Sequence, residues 1–220
     1  YRSIYWHPAV GLLIGTLLFG FHHLLQSTGL ASYPLPTAAL VGLAWVLITG
    51  GLHLDGLGDS ADGWLGGYGD KERTLAIMKD SHSGAAAVIA ISSILLLKVC
   101  ALAAILQIDA TWLFATPLLA RTCSLLLFST TAYARPEGLG SPFSQGLDIG
   151  IIVSLTLIIV ASSAWFYGFQ GIGLCLCLLI LTAALRQQMI QRINGVTGDT
   201  AGATIEITEA FGLIFILMLS

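Results

Sequence analysis

The sequence predicts an all-α fold: a polytopic integral membrane helical bundle with about seven transmembrane helices. Three observations predict it. First, 56% of the 220 residues are hydrophobic and only 10% charged, where soluble domains carry about a quarter charged residues; the mean hydropathy is +0.87. Second, apolar runs long enough to cross a hydrocarbon core of about 30 Å recur along the whole chain. Third, the basic residues collect on one side of the membrane that those runs imply. The length suits a single membrane domain, residues 1–220, and a formal net charge of −3 argues against general nucleic-acid binding, which needs a basic face.

The first run extends from about His7 to Leu30. The second, from about Pro36 to Leu54, follows the "SYPLP" turn. The third covers about Ser83 to Leu106 and the fourth about Thr111 to Thr131. The fifth, Ile149 to Tyr167, and the sixth, Gly171 to Leu185, are divided only by "GFQ". The seventh starts near Ala201 and continues to the end. The chain opens without Met and closes inside an apolar run, so both ends are expected to continue beyond it. Cys100, Cys123, Cys175 and Cys177 lie within apolar runs and read as small buried hydrophobes, with no disulfide expected.

If successive spans alternate sides, Arg2, Lys71, Arg73, Lys79, Arg135, Arg186 and Arg192 share one side, and the loops "ASYPLP", "QIDA" and "GFQ" on the other carry no Lys or Arg. The basic side is therefore expected in the cytoplasm of a cell whose inner membrane holds the protein. Nearly all the acids fall there too, with Asp109 opposite, so the chemistry is expected to face the cytoplasm.

The densest acidic stretch is "HLDGLGDSADG", residues 53–63, inside a glycine-rich segment 50–84. Asp55, Asp59 and Asp62 stand at i, i+4, i+7 and share one face of a helix. Three carboxylates on one face repel one another unless a cation neutralises them, and hard oxygen ligands favour Mg²⁺, Mn²⁺ or Ca²⁺. Asp80, where the third span begins, is placed to join them. A solvated acidic loop is the bland alternative; beside a membrane boundary in so uncharged a chain, a functional site is favoured. The surrounding glycines are poor helix formers, so this helix is expected to be partly unwound, and they let a phosphorylated ligand approach the backbone closely. His53, beside Asp55, is a candidate ligand or donor, or a helix-end histidine.

A second acidic motif occupies residues 194–209, "NGVTGDTAGATIEITE". Asp199 is a candidate site carboxylate or a helix cap. Glu206, inside the last span, needs a partner, Lys98 or Arg121, and an ion pair weighs as much as a catalytic role. Arg121, Arg135 and the "RPEGLG" loop are candidate phosphate contacts, with Lys79 a further candidate substrate contact. "DKERTLAIMKD" reads as a short amphipathic surface helix. His22 and His23 are expected at the opposite interface. The chain has no P-loop, nucleophile elbow or HExxH, which argues against an ATP motor, a serine hydrolase and a zinc protease.

Taken together, "GGLHLDGLGDSADGWLGG", "IMKDSHSGAAA", "RPEGLG" and "GVTGDTAGATIEITE", after the opening "YRSIYWHPAVGLLIG", resemble the cobalamin synthase (adenosylcobinamide-GDP ribazoletransferase) family. The resemblance implies a Mg²⁺-dependent membrane enzyme that joins adenosylcobinamide-GDP to α-ribazole, or α-ribazole 5′-phosphate, and releases GMP. On that reading Asp55, Asp59, Asp62 and Asp80 are catalytic and hold the metal with Asp199, while His53, Lys79, Arg121, Arg135, Asp199 and Glu206 meet substrate. Further partners it allows are other cobalamin-assembly enzymes or a second copy of the chain. One departure is His82, where the family pattern has arginine. Two alternatives share some of these features. CDP-alcohol phosphotransferases also use aspartates and metals, but their motif begins DGxxAR, and the "DGLGDS" here lacks the Ala-Arg, with Asp59-Ser60 in its place. A divalent-cation transporter would also carry intramembrane acids, but would need ligands at the midplane and an exit on the far side.

Overall fold

The computed structural model describes residues 2–135 and 146–220; the "PEGLG" part of the candidate phosphate loop lies outside them. The described chain is a bundle of helices: α1 (His7–Gln26), α2 (Pro34–Thr49), α3 (Leu52–Gly66), α4 (Lys71–Ile77), α5 (Ala85–Ile108), α6 (Trp112–Thr130), α7 (Ile149–Ile193) and α8 (Gly198–Leu219).

Five of these helices are long and apolar enough to cross a membrane, six if the bent pair α2–α3 counts as one span. The expected figure of seven is reached only by also counting α7 as two. There is a physical reason to divide it. Its 45 residues would stretch about 68 Å as one straight helix, twice a hydrocarbon core. At Gly168 the backbone leaves the helical region, with φ 56° and ψ −134°. Gly171 then packs against the carbonyl of Ser163, so the chain folds back on itself, and the "GFQ" boundary falls at that reversal.

The second span differs from expectation. It stops at Thr49, because Gly50 and Gly51 both adopt left-handed backbone (φ 64° and 69°) that other residues resist. α3 leaves α2 at 87°. α3 itself is a continuous helix despite its glycines, not a partly unwound one. Glycine's intrinsic cost is outweighed by how closely it lets α3 pack on its neighbours. A Cβ on Gly56 would sit 2.7 Å from the Asp199 carbonyl oxygen, and one on Gly202 would sit 3.2 Å from the His53 Cα. Gly11 and Gly15, one turn apart on α1, meet the backbone of Pro117 and Leu113 on α6 in the same way.

α6 and α8 run through the middle of the bundle, while α1, α2, α5 and α7 turn residues such as Leu13, Leu47, Ile89, Leu96, Ile158 and Ile180 outward. An apolar exterior around buried Lys98, Arg121, Glu206 and Glu209 is the arrangement of a protein solvated by lipid. Near the end of α1, His22 is buried, whereas its neighbour His23 is exposed.

α3 is held at one end of the bundle. Asp62 reaches the start of α5, Arg192 at the end of α7 donates to the Trp64 carbonyl, and α4 packs beneath α3. Thr74 donates to the Gly67 carbonyl (2.8 Å), and Met78 packs on Gly63. The amphipathic α4 therefore buries its Thr74–Met78 side against protein.

Candidate active site

The site is built on α3. Asp55, Asp59 and Asp62 lie along one side of it; Asp55 is exposed, and Asp59 and Asp62 are half-buried. Asp59 is repelled by Asp55, Asp199 and Asp62 and attracted by Arg135. Asp199 arrives because Thr197 caps α8 and forms a capping box with Thr200, which fixes the first turn against Gly56. Arg135 arrives because the chain after α6 pairs with the chain before α8: Ala134 N–H donates to the Val196 carbonyl (2.8 Å) and Val196 N–H to the Ala132 carbonyl (2.9 Å). Arg135 Nη1 then donates to Asp199 Oδ2 at 2.8 Å, and its Nη2 to the Leu75 carbonyl at 3.4 Å. A partly exposed face of carboxylates with one guanidinium beside it can receive a phosphorylated substrate with a cation.

The other sequence candidates are placed differently. Asp62 is turned to the start of α5, where its oxygens accept from Gly84 N–H (2.6 Å) and Ala87 N–H (3.0 Å). It satisfies two donors that a helix leaves open and opposes the positive end of the dipole. Asp80 does not join the cluster. It lies in the exposed loop before α5 and binds His82, accepting from the His82 backbone N–H (3.1 Å) and facing Nδ1 at 2.6 Å. The hydrogen bond to His82 holds the Asp80 carboxyl below the ordinary carboxylate range, and the same bond raises the His82 imidazole. Asp80 is not among the charges acting on Asp59. Lys79 is exposed in the same loop.

His53 lies not beside Asp55 but across the helix, against Gly202 of α8, and the charges acting on it are those of Glu209, Arg121, Lys98 and His7. Arg121 and Glu206 are drawn into the interior. Lys98 Nζ binds Glu206 Oε2 (2.6 Å) and Glu209 Oε2 (2.5 Å), while Arg121 Nη1 binds Glu209 Oε1 (2.5 Å) and the Pro117 carbonyl (3.1 Å). Lys98 also stands over the Trp45 ring, 4.9 Å from its centroid. Two cations and two anions from α5, α6 and α8 close on one another. So Glu206 has the partner its position demanded, and this buried Arg121 is committed to a carboxylate rather than presented to substrate. Glu209, the member without a role in the sequence reading, binds both cations. One signal pointed to it: the chain has two basic residues within spans, and a single glutamate balances only one of them.

Among the described residues, no three His, Cys, Asp or Glu side chains form a ready-made metal cage. The available donors still fit Mg²⁺. That ion commonly takes one or two protein carboxylates and completes its shell with substrate phosphate oxygens and water. Asp55 and Asp59, one helical turn apart on an accessible face with Asp199 beside them, offer that open set.

The family profile described as cobalamin-5-phosphate synthase matches residues 1–217. The chain is similar to the adenosylcobinamide-GDP ribazoletransferase of Pseudomonas syringae pv. syringae, 43% identical over 219 residues, covering 99% of this chain and 88% of that protein. It is also similar to the protein of the same name from Pseudomonas paraeruginosa, 46% identical over 221 residues, covering 97% of this chain and 85% of that one. No solved structure matches. A match that runs through the α3 aspartates, Arg135 and the α8 motif, over nearly the whole length, means that this chain belongs to the cobalamin-5-phosphate synthase family.

Proposed function

We propose that the protein is an inner-membrane adenosylcobinamide-GDP ribazoletransferase, dependent on Mg²⁺, with its site facing the cytoplasm. The observation that carries this reading is the accessible Asp55–Asp59 face of α3, flanked by Asp199 and Arg135, in a chain of this family. A ribazole hydroxyl oxygen attacks the phosphorus attached to cobinamide. A new P–O bond forms, the bond to the GMP phosphate oxygen breaks, and the hydroxyl proton passes to a carboxylate of the α3 face or to solvent. Asp55 and Asp59, with Asp199, are the residues that would hold Mg²⁺. When bound, the ion neutralises the diphosphate and the charge growing on the leaving phosphate. Arg135 meets a phosphate oxygen. The acceptor is α-ribazole or its 5′-phosphate, both of which offer the attacking hydroxyl.

Glu206 and Glu209, the acids inside the last span, are engaged by Lys98 and Arg121, which weighs against a cation path.

GMP release by the purified protein tests the function, with adenosylcobinamide-GDP and either acceptor, with and without Mg²⁺. Turnover should need the cation, stop with EDTA, and fall by about 10²–10³-fold in Asp59→Asn. Chelator-resistant turnover would remove the metal, and no product with either acceptor would remove the reaction. A cysteine placed at Asp109, in the loop between α5 and α6, should label only from outside the cell; labelling from the cytoplasm would invert the orientation.

A further inference from the structure

Arg135 and Asp199 pose a conflict for the site just described, and its resolution rests on that reading. Asp199 is a candidate cation ligand, yet its Oδ2 is bound by Arg135 at 2.8 Å. Arg135 is a candidate phosphate contact, yet both its terminal nitrogens are occupied, one by Asp199 and one by the Leu75 carbonyl. Its Nε is buried and makes no hydrogen bond among the described residues. Arg135 is also the positive charge acting on Asp59, against Asp55, Asp199 and Asp62. Without a cation, the pairing of Arg135 with Asp199 offsets the repulsion along this face.

We infer that Arg135 is the built-in counter-charge of the aspartate site, holding Asp199 in the substrate-free protein and exchanging that partner for the substrate diphosphate when a divalent cation arrives. One guanidinium serves two states. Paired with Asp199, it lowers the affinity of the empty site for a cation. Turned to the diphosphate, it leaves Asp199 free as a ligand. Cation and diphosphate therefore bind cooperatively, and each has the same effect on the affinity of the other. The exchange is short in range, because the ion pair is mostly buried at the edge of the site and its two partners come from segments fixed by the Ala132–Ala134 and Val196 pairing.

Mn²⁺ binding to the substrate-free protein in detergent, read by the loss of the free-ion EPR signal, tests this without turnover. Arg135→Gln should bind Mn²⁺ several-fold more tightly than the parent, and GDP should no longer strengthen Mn²⁺ binding as it does in the parent. In Asp199→Asn, adding Arg135→Gln should bring much less tightening, since the double-mutant cycle isolates the coupling of this pair. A merely structural Arg135 would change the melting temperature without tightening cation binding. Equal or weaker Mn²⁺ binding in a folded Arg135→Gln protein overturns the exchange. The two readings fail distinguishably. Parent binding that Asp59→Asn abolishes, unchanged by Arg135→Gln, sinks the exchange alone; no binding by either the parent or Arg135→Gln sinks the exchange and the metal site together.

Discussion

Asp62 and Asp80 share the 50–84 segment with Asp55 and Asp59 but not their surroundings, and substitution should separate them. Asp59 is crowded by like charges, so Asp59→Asn should leave the melting temperature unchanged or raised while turnover collapses, the trade expected at a strained functional site. Asp62→Asn should do the reverse first. It weakens the acceptor at the start of α5, and a lost cap costs about 1 kcal/mol, which thermal unfolding in detergent would read. For Asp80 the test is a titration. Its hydrogen bond raises the His82 imidazole, so His82 loses its proton at higher pH than a free histidine, which titrates at about 6.5. In Asp80→Asn the His82 NMR titration midpoint should fall toward that ordinary value; an unmoved midpoint would mean that the pair does not persist in solution.

At the scale of elements, the crossing of α3 and α8 positions the site, and glycine makes it possible. Gly56→Ala gains up to about 1 kcal/mol of helix propensity. It also places a methyl 2.7 Å from the Asp199 carbonyl oxygen and 2.9 Å from the Asp199 Cα, backbone atoms that cannot rotate away. Overpacking costs about 1–3 kcal/mol, so the clash wins. Gly56→Ala should lower the melting temperature and turnover together by shifting Asp199 away from Asp59. Gly20→Ala on α1, where a Cβ meets nothing within 4 Å, should be neutral or stabilising. A stable, active Gly56→Ala protein would mean that the two helices have slack. These glycines were legible in the sequence as an oddity, though their purpose was not: they admit another helix's backbone.

At the scale of the molecule, one closed set of four charges ties α5, α6 and α8 together where water is scarce. Glu209 touches both cations, so Glu209→Gln should leave Lys98 and Arg121 short of charge and cost about 3–5 kcal/mol, seen as a large drop in melting temperature. Glu206→Gln removes one contact to Lys98 and should cost less. If both variants melt like the parent, the set contributes nothing to holding the bundle.

By itself the sequence determined the class, the rough spans, the expected sidedness and the motif on α3. These follow from local quantities: hydropathy summed over some twenty residues, the sign of charge in short loops, and the 3.6-residue period that aligns Asp55, Asp59 and Asp62. Only the tertiary structure decided which acid faces what. Asp62 and Asp80 are as acidic as Asp59 in the sequence, yet one meets the start of α5 and the other turns to His82. Arg121 looked like a phosphate contact, and Glu206 was open between an ion pair and a catalytic role; both close an ion set with Lys98 and Glu209. Arg135 and Asp199, 64 residues apart, meet because two loops pair backbone to backbone. A carboxylate's role is set by the charges and donors within a few ångströms of it, and chain order does not encode which distant residues those will be.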